Sequence, residues 1–266
     1  MRALALLLVA ACSSGDPPVK LAFSADPGPP GSEEYLCFGF DAALLGGADI
    51  GAMSLDAPAG VVTLHHVSLY AATSDFPPGP VECETMPADA VSLHVWALGM
   101  GDLALDPDLA IAVPPGTTHL IVQAHALRSD DGPAASGEVV IETRRDPMHL
   151  AAWLPLRVPT PAIGPHERIS SSSSCAIAEP LHVISVWPHM HRIGVEFHGL
   201  VDVVPFTYDT QHAYPVSIDV AGGESIASMC TWENPTDATV LPGPKLSDEK
   251  CEQALIAWPV EAAHCE

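Results

Sequence analysis

Prolines are spread so densely along this chain that long helices are excluded. There are 27 in 266 residues, and a proline inside a helix removes a backbone hydrogen bond and clashes with the preceding turn. Between the prolines lie short runs rich in β-branched and aromatic residues, separated by Pro, Gly and Asp. The pattern predicts an all-β fold, with strands near residues 61–70, 91–98, 119–127, 138–143, 148–156, 181–187, 194–204, 216–220, 225–232 and 254–260.

Many short strands with regular turn signals indicate a sandwich or barrel, and we predict two tandem antiparallel β-sandwiches of jelly-roll-like type. Arg144-Arg145-Asp146-Pro147 separates strands on either side, so the predicted domains are residues 35–145 and 146–266. Residues 13–34 are rich in Pro, Gly, Ser and Asp. They are predicted to form a flexible tether, with ordered structure beginning near Tyr35.

The first twelve residues indicate export. Met1 and Arg2 make a short positive start, and residues 3–11 are an apolar run too short to span a bilayer. The sequence Val9-Ala10-Ala11-Cys12 looks like a bacterial lipobox, so we predict a signal peptide at 1–12 and a lipidated Cys12. The chain would then lie in the periplasm, at the outer membrane or at the cell surface, held by lipid alone. An ordinary secretory signal with an incidental Cys12 is the alternative.

The charge balance restricts the partners of the chain. Acidic residues outnumber basic ones by 33 to 10, which gives a formal net charge of −23. Nucleic acid would be repelled by this charge. A cationic metal or a small neutral substrate is compatible with the negative field, and we expect a monomer that binds no nucleic acid.

The cysteines are consistent with export. If Cys12 carries lipid, an even number remains, which implies disulfides in an exported chain. Spacing alone leaves all fifteen pairings of six cysteines open. The remaining cysteines are Cys37, Cys83, Cys175, Cys230, Cys251 and Cys265.

Histidines are unusually frequent, with 13 against 10 lysines and arginines together, and three clusters suggest metal binding. His189 and His191 are two apart, so on a strand they point to the same face. His65 and His66 can share a metal only where their strand bulges or ends. The third cluster contains His125. Neutral imidazole suits copper, zinc, iron and nickel, although polar surface or a satisfied core histidine is the alternative for any single pair.

Five segments form a recognisable series. They are Leu-His-His-Val-Ser-Leu-Tyr at 64–70, His-Leu-Ile-Val-Gln-Ala-His at 119–125, Trp-Pro-His-Met-His-Arg-Ile-Gly at 187–194, Ser-Met-Cys-Thr-Trp-Glu-Asn at 228–234 and Ser-Asp-Glu-Lys-Cys at 247–251. In this order they resemble the His-His, Leu-Gln-Val-His and His-x-His motifs and the two later cysteine segments of the ascorbate-dependent type II copper monooxygenases. Peptidylglycine α-hydroxylating monooxygenase and dopamine β-hydroxylase are familiar members. The resemblance runs from about Tyr35 to Cys265.

The resemblance implies two copper sites. His65, His66 and His125 match the ligands of an electron-supplying copper in the first domain. His189 and His191 match two of the three ligands of an oxygen-activating copper in the second domain, where the catalysis would occur.

The resemblance also implies a chemistry and a set of disulfides. Dioxygen and a reductant such as ascorbate would hydroxylate a C–H bond of a small substrate. Gln123 matches a glutamine near the first copper. The implied disulfides are Cys37–Cys83, Cys175–Cys265 and Cys230–Cys251, which leave Cys12 free for lipid.

One ligand position departs from the family. Its third oxygen-site ligand is a methionine just before a cysteine, where this chain has Lys250. A thioether favours Cu(I), whereas an ammonium has no lone pair to offer a metal. Met229 precedes Cys230 as Lys250 precedes Cys251, so Met229 is a possible substitute ligand. The alternative for Met229 is a buried core methionine.

The resemblance also implies a substrate different from that of the peptide-amidating members. Trp187, Glu252 and Ala254 stand where those members hold a peptide carboxylate, so a peptide ending in glycine is not expected. Three functions follow for this chain. They are an active copper monooxygenase, a copper-binding lipoprotein that has lost the oxygen-activating site, and an adhesion-like sandwich without metal.

Overall fold

The computed structural model describes residues 16–57, 62–97 and 100–262, and within them the fold is all-β. Three short 3-10 helices interrupt the strands, at Ala42–Leu45, Tyr208–Thr210 and Val260–Ala262. The strands are β1 (Val19–Ala25), β2 (Glu33–Asp41), β3 (Asp49–Asp56), β4 (Val62–Ala72), β5 (Val81–Glu82), β6 (Val91–Ala97), β7 (Leu103–Ala104), β8 (Leu109–Ile111), β9 (His119–Arg128), β10 (Ala135–Arg144), β11 (His149–Val158), β12 (Arg168–Ala176), β13 (Leu181–Met190), β14 (Gly194–His198), β15 (Tyr214–Val220), β16 (Ser225–Glu233) and β17 (Cys251–Trp258).

The predicted pair of antiparallel sandwiches is confirmed, and the two sandwiches share one long sheet. In the first, β1, β10, β3, β7 and β8 face the sheet β5-β2-β9-β4-β6; in the second, β11-β17-β13-β15 faces β12-β16-β14. Strands β8 and β11 pair in parallel, which joins one sheet of each sandwich into a nine-stranded sheet. The segment 144–147 lies between the end of β10 and the start of β11.

The core of the first sandwich extends across this junction. Trp153, Trp187 and Ile256 of the second half pack in the same buried cluster as Leu69 and Val122 of the first. The two halves are therefore in direct apolar contact, and a site between them has a packed base.

The predicted tether at 13–34 is wrong for much of its length. Val19–Ala25 is a strand that pairs with β10, and its alternate residues Leu21, Phe23 and Ala25 are buried. This period of two is typical of a half-buried strand. The surrounding Pro, Gly, Ser and Asp residues concealed it in the sequence.

Each of the ten predicted strand runs overlaps an observed strand, but other strands were missed. The longest of these are β2 and the serine-rich β12, of nine residues each, and the residues of β12 are mostly exposed or partly exposed in alternation. Serine has no strong strand preference, so β12 gives little local signal. It is held in place by a nine-residue antiparallel ladder with β16.

Two of the implied disulfides are confirmed. Cys37 is bonded to Cys83 and Cys230 to Cys251. The third pair, Cys175–Cys265, includes a residue outside the described ranges. The predicted signal peptide and Cys12 also lie outside them, and within the described ranges no helix is both long and apolar enough to cross a membrane.

Candidate metal centre

A β-bulge places His65 and His66 together. Along the β4–β9 ladder Leu64 pairs with Ala126 and His66 pairs with His125, so His65 is the extra residue. The bulge reorients one side chain, and the two Nδ1 atoms lie 3.0 Å apart. The strand therefore bulges at these two histidines, as the sequence required if they were to share a metal.

His125 completes a triad with these two residues. Its Nδ1 is 3.0 Å from that of His65 and 3.4 Å from that of His66, and all three side chains are buried. Metal–imidazole bonds are about 2.0–2.1 Å long. Three nitrogens at these separations can all reach one ion, so the triad fits a metal.

Glu33 and Tyr35 fix the orientation of His125. The Nε2–H of His125 donates to Glu33 Oε1 at 2.7 Å, which leaves the Nδ1 lone pair facing the other two histidines. Tyr35 stacks on the His125 ring with centroids 4.1 Å apart. The sequence did not identify either residue, because Glu33 fell within the predicted tether and neither has a local metal-binding pattern.

His189 and His191 are each held by a hydrogen bond at Nδ1. The Nδ1–H of His189 donates to Gln211 Oε1 at 2.7 Å, and that of His191 donates to the carbonyl of Asp248 at 2.9 Å. Gln211 is oriented because its Nε2 donates to the carbonyl of Tyr208. Both Nε2 atoms are buried and have no hydrogen-bond partner among the described residues. A buried ring nitrogen with this arrangement is typical of a metal ligand.

The two sets of histidines are neighbours. The His65 ring lies 5.5 Å from that of His191 and 6.2 Å from that of His189. Tyr208 stacks against His65, and Trp187 stacks against His189 with centroids 4.7 Å apart. The structure thus brings all five predicted ligands into one cluster at the junction of the two sandwiches.

The five imidazoles are uncharged near neutral pH. Burial lowers the pKa of His65 and His125 to about 3 and that of His191 to about 2. Burial likewise holds the pKa of His66 and His189 well below its ordinary value. Metal binding requires the neutral ring, so each histidine is ready to donate a lone pair. The contact between His125 and Glu33 is accordingly a hydrogen bond donated by a neutral ring.

A buried carboxyl organises the turn that carries His191. Glu249 accepts hydrogen bonds from the backbone N–H groups of His191 and Ile193 and from Trp232 Nε1, at 2.8–3.1 Å. Burial raises the pKa of Glu249 to about 7. Gly194 ends the turn, and a Cβ there would lie 2.7 Å from the sulfur of Met190, so only glycine fits without displacing Met190.

The structure contradicts Met229 as a substitute ligand. The Met229 side chain is 37% exposed, whereas its neighbour Cys230 is fully buried and bonded to Cys251. Alternate side chains of a strand point to opposite faces, so Met229 points away from the sheet that carries His189. Lys250 is partly buried beside the cluster, and its charge lowers the pKa of all five histidines.

Gln123 lies near the first set without contacting it by hydrogen bonding. Its Nε2 donates to the carbonyl of Cys83, and its Oε1 accepts from the Tyr70 hydroxyl at 3.4 Å. In the described part of the chain its side chain makes no hydrogen bond to the ligand rings. It supports the strand next to the Cys37–Cys83 disulfide.

Comparison with known proteins adds little. No protein-family model matches the chain. A solved structure of allantoicase aligns with 86% of this chain and 80% of its own length, at 11% sequence identity and a TM-score of 0.25. A TM-score of that size supports no statement about a shared fold or function.

Proposed function

We propose that this chain is a copper protein of the monooxygenase type, which hydroxylates a C–H bond of a small substrate with dioxygen and a reductant such as ascorbate. The observation that supports this is the cluster of five buried, uncharged histidines. Three of them are held by a hydrogen bond at one nitrogen: the other nitrogen of His189 and His191 has no partner among the described residues, and that of His125 faces His65 and His66. Imidazole sets of this kind suit copper, although zinc, iron and nickel accept them as well.

Each part of the cluster has a role in this proposal. His65, His66 and His125 would hold one copper, and His189 and His191 would hold the other. Bound copper would supply the one-electron chemistry and dioxygen activation that C–H hydroxylation needs. The balanced reaction takes R–H, dioxygen, two electrons and two protons, and gives R–OH and water; the reductant provides the electrons.

The other residues of the site act on the ligands. Glu33, Gln211 and the Asp248 carbonyl fix the ring tautomers, and the stacked Tyr35 and Trp187 rings keep water from His125 and His189. The short separation of the two sets suits a reaction in which one copper passes an electron to the other.

The ammonium at Lys250 favours a second candidate, a copper-binding lipoprotein without turnover. An ammonium cannot bind a metal unless it loses its proton, so the second set has two ligands where the related enzymes have three. Under this candidate copper would bind and no oxygen would be consumed.

Metal analysis combined with oxygen uptake tests both candidates. The chain is loaded with copper, exposed to a mild chelator and assayed with ascorbate. We expect two coppers per chain, one of which leaves easily, and ascorbate-dependent oxygen consumption. His125→Ala should lose the tight copper, whereas His166→Ala, at an exposed histidine outside the cluster, should not.

The outcomes separate the candidates. Copper binding without oxygen uptake would favour the second candidate, and equal copper in the wild type and His125→Ala would contradict both. Lys250→Met should strengthen Cu(I) at the weaker site and add a copper–sulfur shell to the X-ray absorption spectrum of the reduced protein. An unchanged spectrum would show that position 250 is not at the second copper.

A further inference from the structure

A small polar cavity adjoins both sets of histidines. It has a volume of about 210 Å³ and is bordered by His66 from the first sandwich and His189 from the second. Ligand pockets usually have volumes of roughly 300–1,000 Å³, so this one suits a compact molecule. The other residues used below are Ser92, Trp187, Lys250, Arg157, Glu252 and Glu84, all of which line the cavity.

Lys250 brings a positive charge without a direct ion-pair partner to the cavity. Its ammonium forms no ion pair or hydrogen bond within residues 16–57, 62–97 and 100–262. The flanking carboxylates are engaged elsewhere. Glu249 accepts from the His191 turn and Trp232, and Glu252 lies 3.5 Å from Arg157. Glu84 is exposed at the edge of the cavity.

Two further hydrogen-bonding groups of the lining are unsatisfied. The Ser92 hydroxyl and Trp187 Nε1 are buried and have no hydrogen-bond partner in the described part of the chain. Buried donors are nearly always paired with protein or water, so two such donors on one cavity indicate a missing acceptor. A carboxylate oxygen is an acceptor of the required kind.

Electrostatics favours an anion at this position. Like charges disfavour each other most strongly where water is excluded, and an ammonium beside a centre that binds metal cations is such an arrangement. An anion there would be attracted by Lys250 in the metal-free chain and by both charges once a metal is bound. Arg157 and Glu252 offset each other, which leaves Lys250 as the principal counter-ion.

We propose that this cavity binds the carboxylate of a small organic acid, with Lys250 as counter-ion and Trp187 and Ser92 as hydrogen-bond donors. The identification of this acid as a substrate rests on the proposed copper function, but the binding itself does not. These carboxylate-binding groups also differ from those of the peptide-amidating enzymes, because Trp187 and Glu252 stand where those enzymes hold a peptide carboxylate.

Calorimetry on the metal-free full chain tests the proposal. The probes are benzoate, its neutral analogue benzyl alcohol, and acetate. Benzoate should bind more tightly than benzyl alcohol. Lys250→Met should weaken benzoate roughly 10- to 100-fold, as expected for a lost charge-assisted hydrogen bond, with little effect on benzyl alcohol. Lys245→Met, at an exposed lysine of the same loop, is the matched control and should bind benzoate normally.

The comparison of benzoate with benzyl alcohol in the wild type needs no variant, so it holds even if Lys250→Met fails to fold. Absence of carboxylate binding at millimolar concentration, or equal affinity for the acid and the alcohol, would overturn the proposal. An unchanged affinity in Lys250→Met would also overturn it. Because no metal is present, failure of the copper function would appear separately, as lack of copper retention.

Discussion

The two sets of histidines present opposite nitrogens to the space where a metal would lie. In the first set the three Nδ1 atoms converge, and in His125 the other nitrogen, Nε2, is occupied by Glu33. In the second set the free atoms are Nε2, because Gln211 and the Asp248 carbonyl accept hydrogen bonds from the Nδ1 atoms of His189 and His191. The difference shows that the hydrogen-bond partner, rather than the histidine itself, decides which nitrogen can bind a metal.

The sets also differ in completeness. The first has three imidazoles on two adjacent strands of one sheet, β4 and β9. The second has two imidazoles at the end of β13, and the ammonium of Lys250 lines the same cavity as His189. The first set can hold a metal by itself, whereas the second depends on a ligand from outside the histidines.

Removal of a disulfide should have the largest effect on this comparison. Cys251 of the Cys230–Cys251 disulfide directly follows Lys250 in the second half, and Cys37–Cys83 lies beside Gln123 in the first half. Replacing both cysteines of either pair by alanine should lower the free energy of unfolding by about 2–5 kcal/mol, measured by denaturant titration. Only the Cys230/Cys251 variant should also release the weaker copper.

The Cys37/Cys83 variant is the matched control for that experiment. If both variants released the same copper, the two sets would not be structurally independent, and the comparison between them would fail. Copper content after mild chelation distinguishes the two results.

Glu249, beside the second set of histidines, should make the free energy of unfolding depend on pH. This effect should be somewhat smaller than that of removing a disulfide. Burial raises its pKa from 4.5 to about 7, so between these values the folded chain keeps a proton that the unfolded chain has lost. The free energy of unfolding should therefore fall as the pH rises through this range, by up to about 3 kcal/mol. Glu249→Gln cannot titrate and should remove this component.

The measurement is the difference in unfolding free energy between metal-free wild type and Glu249→Gln across pH. The buried histidines act in the opposite sense, because their lowered pKa values cost stability as the pH falls below 6.5. They are present in both proteins and cancel in the difference. A difference that does not vary with pH would contradict the buried, proton-holding carboxyl.

Loss of the carboxylate partner in the first region should have the smallest effect. Glu33→Gln keeps the shape but replaces a charged acceptor of the His125 hydrogen bond. Removal of such a partner typically costs about 10- to 100-fold in metal affinity, so the tight copper should weaken by that factor. Gln211→Ala is the counterpart in the second region and should weaken only the other copper, as measured by competition with a chelator.

The site of the first set of histidines was more predictable from the sequence than that of the second set. Adjacent His65 and His66 required a bulge if they were to share a metal, and that condition could be stated from strand geometry. The bulge itself depends on how β4 and β9 pair, which no local pattern specifies. In the second region the alternation along β16 placed Met229 on the outer face, and that direction depends on which side of the strand the sandwich core lies.

The sequence by itself determined the all-β class, most strand positions and the five histidines, because proline spacing and residue periodicity act over a few neighbours. Only the tertiary structure decided which groups orient those histidines. Glu33 is 92 residues from His125, and the carbonyl of Asp248 is 57 residues from His191. Such contacts arise when strands pair and sandwiches pack, and their energies come from burial and long-range hydrogen bonding that local propensity does not encode. The adjacency of His65 and His191 was set in the same way, by the packing of one sandwich against the other.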